Sequence, residues 1–112
     1  MTPHFSPCVA AGDLVFVSGQ LAFDAAGAVS GDVKAQTRQV LANIDAVLGT
    51  RGLSLDDVVK ITVWITRQDD FPDFNDAYAA VMGERRPARS TVVTGLAVPG
   101  ALVEIEAIAR RP

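Results

Sequence analysis

A single α+β domain, with two helices covering one face of a mostly antiparallel or mixed β-sheet, is the fold class the 112-residue sequence predicts. Three observations carry that expectation. The length suits one domain over residues 1–112 and leaves no room for a second. Apolar residues make up 49% and charged residues 21%, a globular balance that supplies one modest core. The hydrophobic period switches repeatedly between that of a strand and that of a helix, in the order strand, helix, strand, helix, strand, strand, with a further short strand at the start.

Each element follows from its own residues. "GDLVFVSGQLAF" opens on a Gly12-Asp13 turn and runs into β-branched and aromatic residues, so it reads as a strand. Gly19 and Gly27 punctuate the connection that follows. From Asp32 onward Val33, Val40, Leu41, Ile44, Val47 and Leu48 fall on one helical face, with Lys34, Arg38, Asn43 and Asp45 elsewhere. Ser30 or Asp32 is the candidate N-cap and Gly52 the left-handed stop. "DDVVKITVWITR" alternates, and the pattern places Val59, Ile61, Val63 and Ile65 on one face against Val58, Lys60, Thr62 and Trp64 on the other. "DDFPDFNDAYAAVMG" returns to helical spacing, with a stripe of Phe71, Phe74, Tyr78, Val81 and Met82. Asp69 or Asp70 is its candidate cap, and Pro72 fits only the first turn. "STVVTGL" and "ALVEIEAIA" complete the set as strands. Two helices cover one sheet face only, so residues such as Phe16 and Val92 on the other are expected at an interface between copies in a closed homo-oligomer.

Charge and composition exclude several functions. A formal charge of −3 argues against a dedicated nucleic-acid binder, whose affinity rests on cations neutralising phosphates. One cysteine, Cys8, forms no internal disulfide, and neither a secretory leader nor an apolar run long enough to span a membrane is visible, which makes the cytoplasm the expected location. With one histidine, His4, and one cysteine, a zinc site or a Ser-His-Asp type triad lacks its parts. No glycine loop of a phosphate-cradling kind follows a strand. No metal and no cofactor is expected.

Arg89, Glu104 and Glu106 remain. Pro87 fixes its own φ and restricts Arg86, so the chain approaches Arg89 in a limited set of conformations. A guanidinium held there is a fork for a carboxylate. Glu104 and Glu106, two apart, project from one face of the last strand. A carboxylate in a half-buried strand either pairs with a cation or has a raised pKa and handles protons. The plainer alternative is a solvated Arg89, with the glutamates paired to Arg110, Arg111 or Lys60.

Six segments, "GDLVFVSGQ", "QTRQVLANIDAVL", "VVKITVWI", "DDFPDFNDAY", "RPARSTV" and "VEIEAIA", in order from about Gly12 to Ala109, resemble the RidA (YjgF) family of reactive-intermediate deaminases. The resemblance implies a chorismate-mutase-like fold assembled as a homotrimer with clefts between subunits. It implies hydrolysis of 2-imino acids, such as 2-iminopropanoate and 2-iminobutanoate, to 2-keto acids and ammonia. Such imines arise from enamines released by pyridoxal-phosphate-dependent dehydratases, so the implied role is detoxification. By position, Arg89 matches the arginine that grips the substrate carboxylate and Glu104 the residue that orients the attacking water. Ser18, Gly19, Asn75 and Thr91 match positions lining the cleft. Each also has a structural reading: Ser18 as a strand-end bond to backbone, Gly19 as a turn, Asn75 as a local helix bond, Thr91 as a plain strand residue.

One position departs from the family pattern. Phe5 stands where deaminating members commonly carry a tyrosine, which keeps the ring and removes the hydroxyl. Besides the deaminase, two other functions follow from the resemblance: a non-catalytic module that binds small carboxylates or keto acids, and an RNA-cleaving translation inhibitor. The acidic balance weighs against the last. The deaminase reading requires Arg89 and Glu104 to meet the same substrate.

Overall fold

The computed structural model describes residues 3–112. Five strands and two helices appear, in an order that matches the expectation: β1 (Cys8–Ala11), β2 (Leu14–Gln20), α1 (Val33–Gly49), β3 (Val58–Ile65), α2 (Phe71–Met82), β4 (Ala88–Val93) and β5 (Val103–Arg110). The sheet order is β1-β2-β5-β3-β4, with β3 and β4 parallel and every other pair antiparallel. The parallel pair is the one joined by a helix, because parallel neighbours need a crossover.

Local chemistry explains the boundaries. Ala11 pairs with Leu14, so Gly12 and Asp13 alone turn the first hairpin, and Gly12 takes φ 60° there. Asp32 caps α1 by accepting from the Ala35 amide at 2.9 Å. Past its last turn, Gly52 (φ 72°) reverses the chain and the Leu53 amide reaches back to the Leu48 carbonyl at 3.0 Å. A short 3₁₀ turn, Leu55–Asp57, carries a Ser54–Asp57 capping box and feeds β3. Asp70 precedes α2 without making a side-chain cap bond, and Pro72 sits in the first turn as required.

Two expectations about the apolar faces need correction. Val59 is 44% exposed and Val58 only 8%, because the β3–β5 register shifts between Val58 and Lys60 and this irregularity turns Val59 out and Val58 in. Phe71, at the start of α2, is 40% exposed, so the buried face of the helix is Phe74, Ala77, Tyr78 and Met82.

Both helices lie on one face of the sheet, and the core fills the layer between. Val15, Val17, Ile61, Val63, Ile65, Val103, Ile105, Ala107 and Ala109 meet Val33, Val40, Leu41, Ile44, Leu48 and Phe74 there. The alternate positions of the same strands, including Phe16, Thr62, Trp64, Val92, Glu104, Glu106 and Ile108, form the opposite face, which no helix or strand among the described residues covers. Phe16 is 41% and Val92 46% exposed on it. Among the described residues no helix is long and apolar enough to cross a membrane.

Candidate functional site

Arg89 is the second residue of β4 and pairs with Ile61 of β3, which places it on the helix-covered face. There its guanidinium carbon stands 4.7 Å from the Tyr78 ring centroid and 5.4 Å from that of Phe74. Stacking on two rings of α2 fixes a side chain that otherwise has many rotamers. Among the described residues no carboxylate forms an ion pair with it. The cleft in front of Arg89 holds about 310 Å³ and is lined by Asn75, Tyr78, Ala79, Gly83, Arg86, Pro87 and Arg89. Asn75 lines this cleft beside Arg89, and its side-chain amide makes no hydrogen bond among the described residues. Burial pushes the Tyr78 hydroxyl above its usual range, against a smaller opposing pull from Arg89, and its buried oxygen has no hydrogen-bond partner among the described residues.

Glu104 forms a second cluster. It pairs with Trp64, three residues beyond Ile61 along β3, and therefore points from the uncovered face. The β2–β5 register slips between Val17 and Gln20, and Gly19 sits in this irregular stretch against the Glu104 side chain. A Cβ on Gly19 would overlap Glu104 Oε2 and lie 3.1 Å from Cδ, so glycine is demanded by the close approach and not by its backbone angles. Burial raises the Glu104 carboxyl above the usual range, and the neighbouring Glu106 adds to it. Neither glutamate forms an ion pair among the described residues. Lys60 instead donates to Ser90 Oγ at 3.0 Å, and Arg111 donates to the Gly12 carbonyl. The alternative in which Lys60, Arg110 or Arg111 neutralises them is not what the structure contains.

Ser18 lines a hollow on the uncovered side with Val9, Phe16 and Glu106, and it is also bonded to backbone. Its hydroxyl donates to the Ser6 carbonyl at 2.6 Å and its amide to the Pro7 carbonyl at 2.9 Å, fastening the N-terminal segment to β2. Phe5, just ahead of that fastening, is 63% exposed. Thr91 lies on the helix-covered face but lines a different hollow, with Ile65, Phe71, Pro72 and Val93, and its buried Oγ1 has no partner among the described residues. Within one chain, then, Arg89 and Asn75 share a cleft, Gly19 and Glu104 share another surface, and the sheet separates the two. One substrate cannot touch both Arg89 and Glu104 of the same copy.

Sequence reasoning missed the residues that position these groups. Gln36, buried in α1, donates to the Gly31 and Gly100 carbonyls and accepts from the Leu102 amide, two residues ahead of Glu104. Asn43 donates to the carbonyls of Leu21 and Phe23, just beyond Gly19. Gln36 lies beside the apolar stripe of its helix, and a polar residue at the border of such a stripe is the only signal the sequence offered. Among the described residues no group of three or more His, Cys, Asp or Glu side chains is placed to hold a metal ion.

The sequence profile of the family described as "Endoribonuclease L-PSP" matches residues 1–111. The chain belongs to the YjgF/RidA family. Its relatives in that family include the 3-aminoacrylate deaminase RutC of Acinetobacter baylyi, 40% identical over 107 residues that cover 94% of this chain and 85% of the relative. The crystal structure of RidA from the Antarctic bacterium Psychrobacter sp. superposes with a TM-score of 0.91 at 38% identity, covering 98% of this chain and 90% of that one. The structure of E. coli TdcF with bound serine superposes with a TM-score of 0.93 at 34% identity, covering 100% and 91%. The RidA fold expected from the sequence is therefore the fold observed.

Proposed function

We propose that this RidA-family protein hydrolyses 2-imino acids, of the 2-iminopropanoate and 2-iminobutanoate kind, to 2-keto acids and ammonia, at a site completed by two copies of the chain. One observation carries the proposal: a guanidinium braced by two rings, half-buried, facing a cleft with no carboxylate partner among the described residues. Such a group is preorganised for a substrate carboxylate. The 3-aminoacrylate deaminase among the relatives supports the reaction class.

Arg89 would hold the carboxylate and so fix C2 of the imine. Water adds to C2, its proton passes to a carboxylate, and the resulting carbinolamine expels ammonia after its nitrogen gains a proton, leaving the keto group. Glu104 is suited to that proton traffic, because burial and Glu106 raise its pKa toward the working range. Since Arg89 and Glu104 lie on opposite faces of one sheet, the glutamate must come from a neighbouring subunit, and the uncovered face that carries it is where a neighbour would sit. A closed homotrimer with three such clefts meets this requirement.

The test generates 2-iminopropanoate with an amino-acid oxidase and follows the partition between semicarbazone and keto acid. Wild type should divert imine to keto acid. Arg89→Ala should abolish the effect, and Glu104→Gln should cut it by about a hundredfold or more, the lower end for a removed acid–base group. Co-assembled Arg89→Ala and Glu104→Gln chains should recover activity at about a quarter of sites, the fraction random mixing gives when a site draws one residue from each of two copies. No recovery in proven mixed assemblies would remove the shared site, and three equally active proteins would remove the deaminase.

A second reading has its own support. Phe5 carries no hydroxyl and is 63% exposed, and the similar TdcF structure holds serine. A passive carboxylate-binding protein would bind keto acids through Arg89 without accelerating imine loss, an outcome the same assay separates.

A further inference from the structure

The cleft in front of Arg89 contains a second arginine, Arg86, and no carboxylate lines it. Unpaired arginines are ordinary on a protein surface, and this chain has others. Two that converge on one cleft are not, because like charges brought together repel unless an anion joins them. The concentration of positive charge also runs against a net charge of −3.

The segment that carries Arg86 is built to hold it there. Gly83 (φ 61°) ends α2 with its amide on the Ala79 carbonyl at 2.9 Å, and the Arg85 amide returns to the Met82 carbonyl at 3.1 Å. The Arg85 side chain is tied outward, to Asp56 at 2.6 Å and the Val81 carbonyl at 3.3 Å. Pro87 then stiffens the exit into β4. Arg85 is thus neutralised away from the cleft, while Arg86, one residue on, is left facing it. The turn fixes the Arg86 backbone on both sides, which leaves only its side-chain rotamers to be ordered when it meets a ligand.

We propose that Arg86 is a specificity-determining residue that adds a second anion contact beside Arg89, so that the preferred substrates are dianionic 2-imino acids with a carboxylate on the side chain. The inference rests on the carboxylate-binding role given to Arg89 above and adds the class of side chain. Arg89 takes the carboxylate next to C2, and Arg86 takes the distal one. The chemistry is otherwise unchanged: water replaces the imine nitrogen, and a keto diacid and ammonia leave.

Two imines made in situ by oxidases, 2-iminosuccinate from aspartate and 2-iminopropanoate from alanine, test it. Wild type should favour the diacid imine by about tenfold in kcat/KM, the worth of one added charge-assisted contact. Arg86→Gln should bring the ratio of the two specificities close to one, while Arg85→Gln, altered outside the cleft, keeps the wild-type ratio. Equal specificities in wild type, or an Arg86→Gln protein that retains the preference, overturn the inference. Calorimetric titration with oxaloacetate and pyruvate separates it from the deaminase reading. If neither imine is hydrolysed but oxaloacetate binds more tightly by about the same factor, and Arg86→Gln removes the difference, the deaminase fails and the paired arginines stand. Equal affinity for the two keto acids overturns the pairing whatever the activity.

Discussion

At the scale of single residues, Gly19 and Glu104 make the sharpest demand. Gly19→Ala puts a methyl group into space that Glu104 Oε2 occupies, so the carboxylate must swing away. The backbone at Gly19 needs no positive φ, so the fold should tolerate the change. We expect thermal unfolding within a few degrees of wild type and, if Glu104 handles the water as proposed, imine hydrolysis reduced by about tenfold to a hundredfold, as a displaced catalytic group generally gives. Retained activity would mean that Glu104 does not work from its present position. Glu104 also makes a prediction about stability. Its pKa is raised in the folded chain, so the native state binds the proton more tightly than the unfolded one. Its favourable contribution is complete below the unfolded pKa and is lost as pH rises through the folded value. Glu104→Gln should therefore raise the urea midpoint at neutral pH, with the advantage gone in acid below the ordinary carboxylate range. Urea titrations at the two pH values measure it, and a gain that persists in acid would contradict the assigned cause.

At the scale of elements, α1 does more than cover the sheet. Its buried Gln36 joins Gly31, Gly100 and Leu102, and its Asn43 joins Leu21 and Phe23, so one helix pins the loop that leaves β2 and the loop that enters β5. Gln36→Leu keeps the volume and strands the Leu102 amide and two carbonyls. It should destabilise the fold by about 2–4 kcal/mol, the cost of leaving buried partners unpaired, measured by denaturant unfolding. A loss below about 0.5 kcal/mol would assign those bonds to water. The periods of 2 and 3.6 make both helices and β2 to β5 legible in the sequence, because burial of one face imposes them, whereas the four residues of β1 are too few to show a period. Register did not follow so readily. The irregularity at Val58–Lys60 turns Val59 outward by a backbone event that leaves no mark on an apolar run, and Phe71 reads as part of its stripe although its helix begins with it at the rim. Arg89 and Glu104 were legible as residue types at strand positions. Their separation by the sheet was not, since it depends on which strands pair and in what register.

At the scale of the whole molecule, the described residues leave one sheet face without a covering helix. Val9, Phe16 and Val92 are each more than 40% exposed, and Glu104 stands among the residues of that face. An assembly that covers the face would bury apolar surface and bring the glutamate to a neighbour's arginine at once. Phe16→Asp introduces a charge into that surface without touching Arg89 or Glu104. Light scattering should report monomers or a mass that falls on dilution, and imine hydrolysis should fall with it. A variant that stays assembled and active would place the contact elsewhere.

The fastening of Ser6 and Pro7 to Ser18 reaches beyond the N-terminal segment. Ser18 adjoins the glycine on which the Glu104 carboxylate rests, so, under the proposed function, a displaced leading segment should shift the group that handles the water. A purification tag or a proteolytic nick ahead of β1 is then no neutral choice. Preparations that differ only there should differ in turnover while unfolding alike.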